Sequence, residues 1–193
     1  MRMGYKGDTY YIDLVLQGNI NAFSYIVERH KDCTFNLAFR ICGNREEAEE
    51  VAQDAFLKAF RSLGSFKRKS SFATWLYRIV YNTSISLVRS RKTGVLSVEE
   101  FPANMNDFLE FTNDDEEAEK EYKNSLINFA LQKLSDEERG LITLHYYEEM
   151  SMEEMSAVTG ITRSNIRVKL FRARQKMTEI IKRVKKKQEV DHG

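Results

Sequence analysis

A single proline, Pro102, and nine glycines in 193 residues leave this chain little with which to interrupt a helix. Proline removes a backbone donor and clashes with the preceding turn, and an interior glycine costs a helix about 1 kcal/mol relative to alanine. Their scarcity favours an all-α fold, and the apolar spacing agrees. Ile12, Leu14, Val15 and Leu16 are followed, across a break near Gly18, by Ala22, Phe23, Ile26, Val27, His30, Phe35, Leu37, Ala38 and Ile41, mostly at helical intervals. A second pattern starts after Gly43. Asn44 is its N-cap, Glu46 and Glu47 face the positive end of the helix dipole, and Ala48, Val51, Ala52, Ala55, Phe56, Ala59 and Phe60 form the inward stripe. This helix is expected to end near Gly64, with a loop over 65–71 and another helix from about Phe72 to Ser90.

From Thr93 to about Glu121 the periodicity decays into Gly94, Pro102, three asparagines and an acidic run, which reads as a flexible linker. Helical spacing resumes near Tyr122 with Leu126, Phe129, Ala130, Leu131 and Leu134. Ser135 and Asp136 cap a further helix, and two more are expected at about 152–159 and 164–185. Two small helical domains, 10–91 and 123–185, are therefore expected either side of an acidic linker, 92–122.

The net charge of +1 conceals a strong segregation. Residues 57–92 carry nine basic side chains and no acidic one, 97–122 carry ten acidic side chains against Lys120, and 151–187 carry eleven basic against three acidic. Two basic blocks separated by an acidic one fit two nucleic-acid-binding modules. No apolar run approaches the roughly 18 residues of a membrane span, and no signal-peptide pattern opens the chain. Cys33 and Cys42 sit nine residues apart on one expected helix. That is about 13 Å along its axis, too far for a disulfide. No Cys/His cluster suggests a metal, and no cofactor is expected. A reduced, cytoplasmic protein is the economical reading.

The segment 151–170 has the grammar of a helix-turn-helix. Ser151 and Glu154 make a capping box, Gly160 stands where the chain turns, Ser156 is small enough for close helix packing, and Thr162 can cap the second helix. Ile161 and Ile166 plug the angle, with Leu170, Ala173 and Met177 continuing the inward stripe. The outward face then holds Ser164, Val168, Phe171, Arg172 and Gln175. In such motifs the start of the second helix enters the major groove, which puts Arg163, Ser164, Asn165, Arg167 and Val168 near base edges, with Lys169 flanking them. Arg172, Arg174 and Lys176 are candidates for phosphates.

The segment 44–61, NREEAEEVAQDAFLKAFR, resembles region 2.2 of extracytoplasmic-function (ECF) sigma factors of the sigma-70 family. The run 72–82, FATWLYRIVYN, resembles that family's motif around its single Trp, and 170–177, LFRARQKM, is similar to the Arg-Ala-Arg signature that closes region 4. Together the matches cover about 10–91 and 123–183. The resemblance implies a DNA-binding specificity subunit of bacterial RNA polymerase with no enzymatic activity, partnered by core polymerase, by single-stranded −10 and double-stranded −35 promoter DNA, and by an anti-sigma factor. It implies polymerase docking through Glu49, Glu50, Gln53, Asp54 and Lys58. It implies −10 recognition by the loop 65–71 and the helix after it, with Lys67, Arg68, Lys69, Arg78 and Arg89 supplying charge and Phe66, Ser70, Ser71 and Asn82 contacting bases or backbone. An unstacked base costs a few kcal/mol, so a snug pocket is required. Trp75, between Phe72 and Ile79, is expected in the core.

The chain departs from the family at Glu154-Met155-Ser156, at Asn165-Ile166-Arg167-Val168 and at Phe171, which bears on the −35 sequence preferred. For the acidic linker, nucleic-acid mimicry, folding back on the basic modules and plain solubility stand level. An ordinary helix-turn-helix repressor or activator is the alternative reading, weakened by the Glu-rich helix and the Trp-containing helix. An enzyme is disfavoured, because no phosphate loop or nucleophile motif is present and His30, His145 and His192 are scattered.

Overall fold

The computed structural model describes residues 6–91 and 115–191, so the 92–114 part of the expected linker and His192 lie outside the described residues. Helix α1 (Asp8–Leu16) ends before Gly18, whose φ of 100° breaks the chain where the periodicity broke. A 3-10 turn at Ile20–Ala22 leads into α2 (Phe23–Cys42), which stops at Gly43 with φ 72°, a left-handed position that glycine adopts without Cβ strain. Helix α3 (Arg45–Ser62) begins as expected, with the Glu47 N–H donating to Asn44 Oδ1 at 3.0 Å. Helix α4 spans Phe72–Arg91. Its start is capped by Ser71, whose Oγ accepts the Thr74 N–H at 3.1 Å.

In the second half, α5 (Asp115–Gln132) begins inside the segment read as linker. Helix α6 (Asp136–Tyr146) and α7 (Met152–Thr159) each open on a complete capping box, Ser135 with Glu138 and Ser151 with Glu154. Gly160, at φ 74°, makes the turn into α8 (Arg163–Asp191). Among the described residues there are eight α-helices and no strand, and no helix long and apolar enough to cross a membrane.

Helix α2 packs against α1, α3 and α4, while α6, α7 and α5 pack on α8. Alanines 48, 55 and 59 are fully buried and let α3 lie close to its neighbours. The two halves also meet: α6 lies on α2 and α4, α7 lies on α4, and the buried cluster runs through both. The contact has a polar heart. Arg139 and Asp136 are buried, Arg139 donates to the last-turn carbonyl of Ile41 at 2.9 Å, and its other nitrogen sits 3.1 Å from Asp136. Beside it Gly140 presses on Tyr81, where an added Cβ would stand 2.6 Å from Cε2. Tyr77 donates to Glu148 at 2.5 Å, and Arg40 lies 3.5 Å over the Tyr147 ring. Burial first, then the bond to Glu148, pushes the Tyr77 phenol far up, so it stays a donor at physiological pH. Both cysteines are free, with their thiols pushed up chiefly by burial.

Candidate nucleic-acid interface

The loop between α3 and α4 forms one wall of a cleft of about 340 Å³. Phe66 and Trp75 contribute its aromatic surface, Lys67, Arg68, Lys69 and Arg78 its charge, and Ser65, Ser70 and Thr74 its hydroxyls. Phe66 is held against Phe72 and Trp75, with ring centroids 5.7 and 5.2 Å away, so its ring is fixed. Trp75 packs in this cluster and is only half-buried, so it belongs both to the packing and to the cleft wall. From the cleft, Arg78, Asn82 and Arg89 continue along an exposed stripe of α4, at offsets of four and eleven residues that return to one face. The Ser71 hydroxyl is engaged, capping α4 and lying 2.8 Å from Thr74 Oγ1, and the Ser70 hydroxyl bonds the Ser71 carbonyl at 3.2 Å. Ala157 of α7 closes one side of the cleft.

On α3, Glu49, Glu50, Gln53 and Lys58 are exposed and Asp54 is half-exposed. Arg45 pairs with Glu49 at 3.0 Å and Lys58 with Asp54 at 2.7 Å, Lys58 also reaching Thr83 at 3.1 Å. Next to this polar row lies a feature the sequence reading missed. Ile20, Phe23, Val27, Phe56, Leu57 and Phe60 line an open apolar groove of about 750 Å³ with Gln53 on its edge. Ile20 is 62 % exposed and Leu57 53 %. Phe56 and Phe60, assigned to the core by periodicity, are half-buried. The available signal was the width of the apolar arc: Leu57 beside Phe56 and Phe60 extends it past what one packed face can bury.

The second helix of the helix-turn-helix turns inward with Ile166, Leu170 and Ala173 buried, and outward with Ser164, Asn165, Arg167, Val168, Phe171 and Arg172 exposed. The Thr162 hydroxyl meets that of Ser164 at 3.3 Å. The cations fall into two groups. Arg163 pairs with Glu153 at 2.6 Å, Lys169 with Glu137 at 3.0 Å and Lys176 with Glu138 at 2.5 Å, while Arg174 donates to the Tyr146 hydroxyl at 3.2 Å. Among the described residues Arg167 and Arg172 carry no hydrogen bond or close ion pair, Arg167 acting only through space on the Glu153 carboxyl, and both are open to an anion. Burial tends to raise the Glu138 carboxyl, but hydrogen bonds from Lys176 and Ser135 outweigh it and hold the group below its usual value. Glu153 is lowered mainly by its bond from Arg163.

His30 is buried, 3.1 Å from Asp8 and packed on Phe72, and His145 packs on Tyr146. Among the described residues no group of three or more His, Cys, Asp or Glu is placed to hold a metal.

Residues 26–93 match the family "Sigma-70 region 2", and residues 126–177 match "Sigma-70, region 4". The chain is 31% identical over 171 residues to the ECF RNA polymerase sigma factor SigW of Bacillus subtilis, covering 85% of this chain and 91% of the relative. It is 28% identical over 175 residues to the ECF RNA polymerase sigma-E factor of Escherichia coli, covering 87% and 91%. Among solved structures, the sigma factor RpoE in complex with the anti-sigma factor NepR from Bartonella quintana aligns with a TM-score of 0.62 at 25% identity, over 83% of this chain and 96% of that one. The fold is also shared with CnrH in complex with the cytosolic domain of CnrY, at a TM-score of 0.65 and 24% identity, covering 92% and 98%.

Proposed function

The chain belongs to the sigma-70 family as an ECF sigma factor, and from that premise we propose how its surfaces divide the work. It binds core RNA polymerase, recognises the −10 and −35 promoter elements and initiates transcription, and an anti-sigma factor is its regulatory partner. The work is binding and strand capture in the cytoplasm, without covalent chemistry of its own. The observation that carries this assignment is the pairing of a cationic, aromatic-walled cleft on one module with an open recognition-helix face on the other.

In this reading domain 10–91 docks polymerase and reads −10, 92–122 connects, and domain 123–185 reads −35. Phe66 and Trp75, packed on each other, present the aromatic wall on which an unstacked −10 base stacks, since base–aromatic stacking contributes about 1–3 kcal/mol per base. Lys67, Lys69, Arg78, Asn82 and Arg89 track the strand. Ser70 and Ser71 shape the loop and cap α4. Glu49, Glu50, Gln53, Asp54 and Lys58 dock polymerase together with the neighbouring apolar groove, which gives the polar row a desolvated centre. Ser164, Asn165, Arg167 and Val168 face −35 base edges and Arg172 a phosphate. Arg163, Lys169, Arg174 and Lys176 exchange their internal partners for phosphates on binding.

Geometry adds a requirement. The two elements lie about 25 base pairs apart, roughly 85 Å at 3.4 Å per pair. A folded chain of this length has a radius of gyration of only about 16 Å. The modules must therefore separate to engage both elements. Run-off transcription with purified chain and core polymerase on its own upstream region tests the whole assignment. A transcript requiring both components is expected. Absence of both transcript and comigration with core would return the chain to the ordinary helix-turn-helix regulators.

A further inference from the structure

We propose that Asp13, on α1, is a positioning residue for the −10 pocket: by holding Arg68 it sets the loop that reads the base. This rests on the assignment of the 65–71 cleft to the −10 strand.

The loop places three cations in succession, Lys67, Arg68 and Lys69, which repel one another. Its centre is also conformationally costly, because Arg68 sits at φ 55°, in the left-handed region where a Cβ is crowded. Such a position persists only where surrounding contacts over-determine it. The backbone offers little: Phe66 N–H is tied to Leu63 at 3.0 Å and Ser71 caps α4, but among the described residues 67–70 make no backbone–backbone hydrogen bond. Beside the local bond from the Ser70 hydroxyl to the Ser71 carbonyl, the long-range tie is made by Arg68, a residue of the cleft lining whose guanidinium pairs with the Asp13 carboxylate, 55 residues earlier in the chain.

Asp13 is well mounted for this task. Ile12 beside it is 1 % exposed, and Asp8 on the same helix binds Arg29 at 2.6 Å and His30 at 3.1 Å. His30 in turn packs 5.4 Å from Phe72, the first residue of α4. The tether therefore refers the loop to the same body that carries the far wall of the cleft. A carboxylate beside a site for a polyanion can only oppose general DNA affinity, so its useful effect is on geometry. The two consequences are separable. Neutralising Asp13 leaves non-specific attraction unchanged or increased, while base discrimination falls.

The test uses the full chain bound to core polymerase on a promoter library randomised through the −10 element, with transcripts counted for each sequence. Asp13→Asn is expected to flatten the preference at one or more −10 positions by up to about fivefold, the ceiling for an exposed ion pair. The thermal midpoint and −35 preference should stay unchanged. The swap Asp13→Arg with Arg68→Asp should restore discrimination. Phe66→Ala separates this proposal from the reading beneath it. If Phe66→Ala flattens the preference and Asp13→Asn does not, or if Asp13→Asn lowers all transcripts evenly, the positioning role is overturned and the pocket assignment stands. If neither variant changes −10 preference, the pocket assignment itself fails, and the proposal with it.

Discussion

Gly140→Ala isolates the contact between the two modules with a single methyl group. In its own helix the change is favourable, since alanine exceeds glycine by about 0.8–1 kcal/mol in a helix interior. Across the interface it is not, because the new Cβ would lie 2.6 Å from Tyr81 Cε2 and 3.4 Å from Cδ2. Carbon atoms need about 3.5–4.0 Å, so something must move by about 1 Å. The ring has little room, as Tyr81 is only 5 % exposed and packs within the shared core. Overpacking of this kind costs about 1–3 kcal/mol, which shifts the closed-to-open ratio by about five- to 150-fold. The strain is relieved by parting α6 from α4 rather than by unfolding either module. Small-angle scattering of the free chain should show a radius of gyration several ångströms above the closed value of about 16 Å. Far-UV circular dichroism should be unchanged. A wild-type scattering profile with a raised thermal midpoint would refute the reasoning, showing that the ring gives way at no cost and leaving only the helix-propensity gain.

Leu57→Glu in the open groove should weaken binding to core polymerase at least about tenfold, in the range of a central interface residue, without affecting −35 duplex binding; titration against labelled core and against labelled DNA reads the two separately. Arg172→Ala should lower the slope of log affinity against log salt for −35 DNA by about 0.9, one phosphate contact, whereas Lys176→Ala should change it less because Glu138 already holds that lysine. Glu138 has a depressed folded value, so its contribution to stability is present above its unfolded value of 4.5 and is lost as pH falls through the folded one. Urea titrations from pH 7 down to pH 3 should therefore show a shallower acid loss in Glu138→Gln than in wild type, and parallel curves would remove the group from the acid response.

Much of the local structure was legible because its causes are local. The Asn44 cap, the Ser135 cap, the Ser151–Glu154 capping box and the left-handed Gly160 depend on residues within one turn of one another. The buried stripe Ile166, Leu170, Ala173 follows from the helical repeat. Trp75 was only half legible, because periodicity points a side chain inward or outward but does not say whether the neighbouring loop covers it. The hydroxyl of Ser71 illustrates the same limit: its residue type suits a base contact and a helix cap equally, and only the backbone of α4 decides for the cap.

The sequence by itself therefore determined the all-α class, the two basic modules and the helix-turn-helix, since helix propensity, capping and charge segregation act over a few residues and are written in order along the chain. The tertiary structure alone decided which cations are free. Lys169, Arg174 and Lys176 look identical in sequence to Arg167 and Arg172, yet they face acidic or phenolic groups on α6, brought there by a helix crossing. It also decided that Ile20, Phe23 and Leu57, from separate elements, share one groove, and that Arg68 answers to Asp13. These pairings span 28 to 55 residues of chain, and proximity over such distances is a property of packing, which the one-dimensional pattern does not contain.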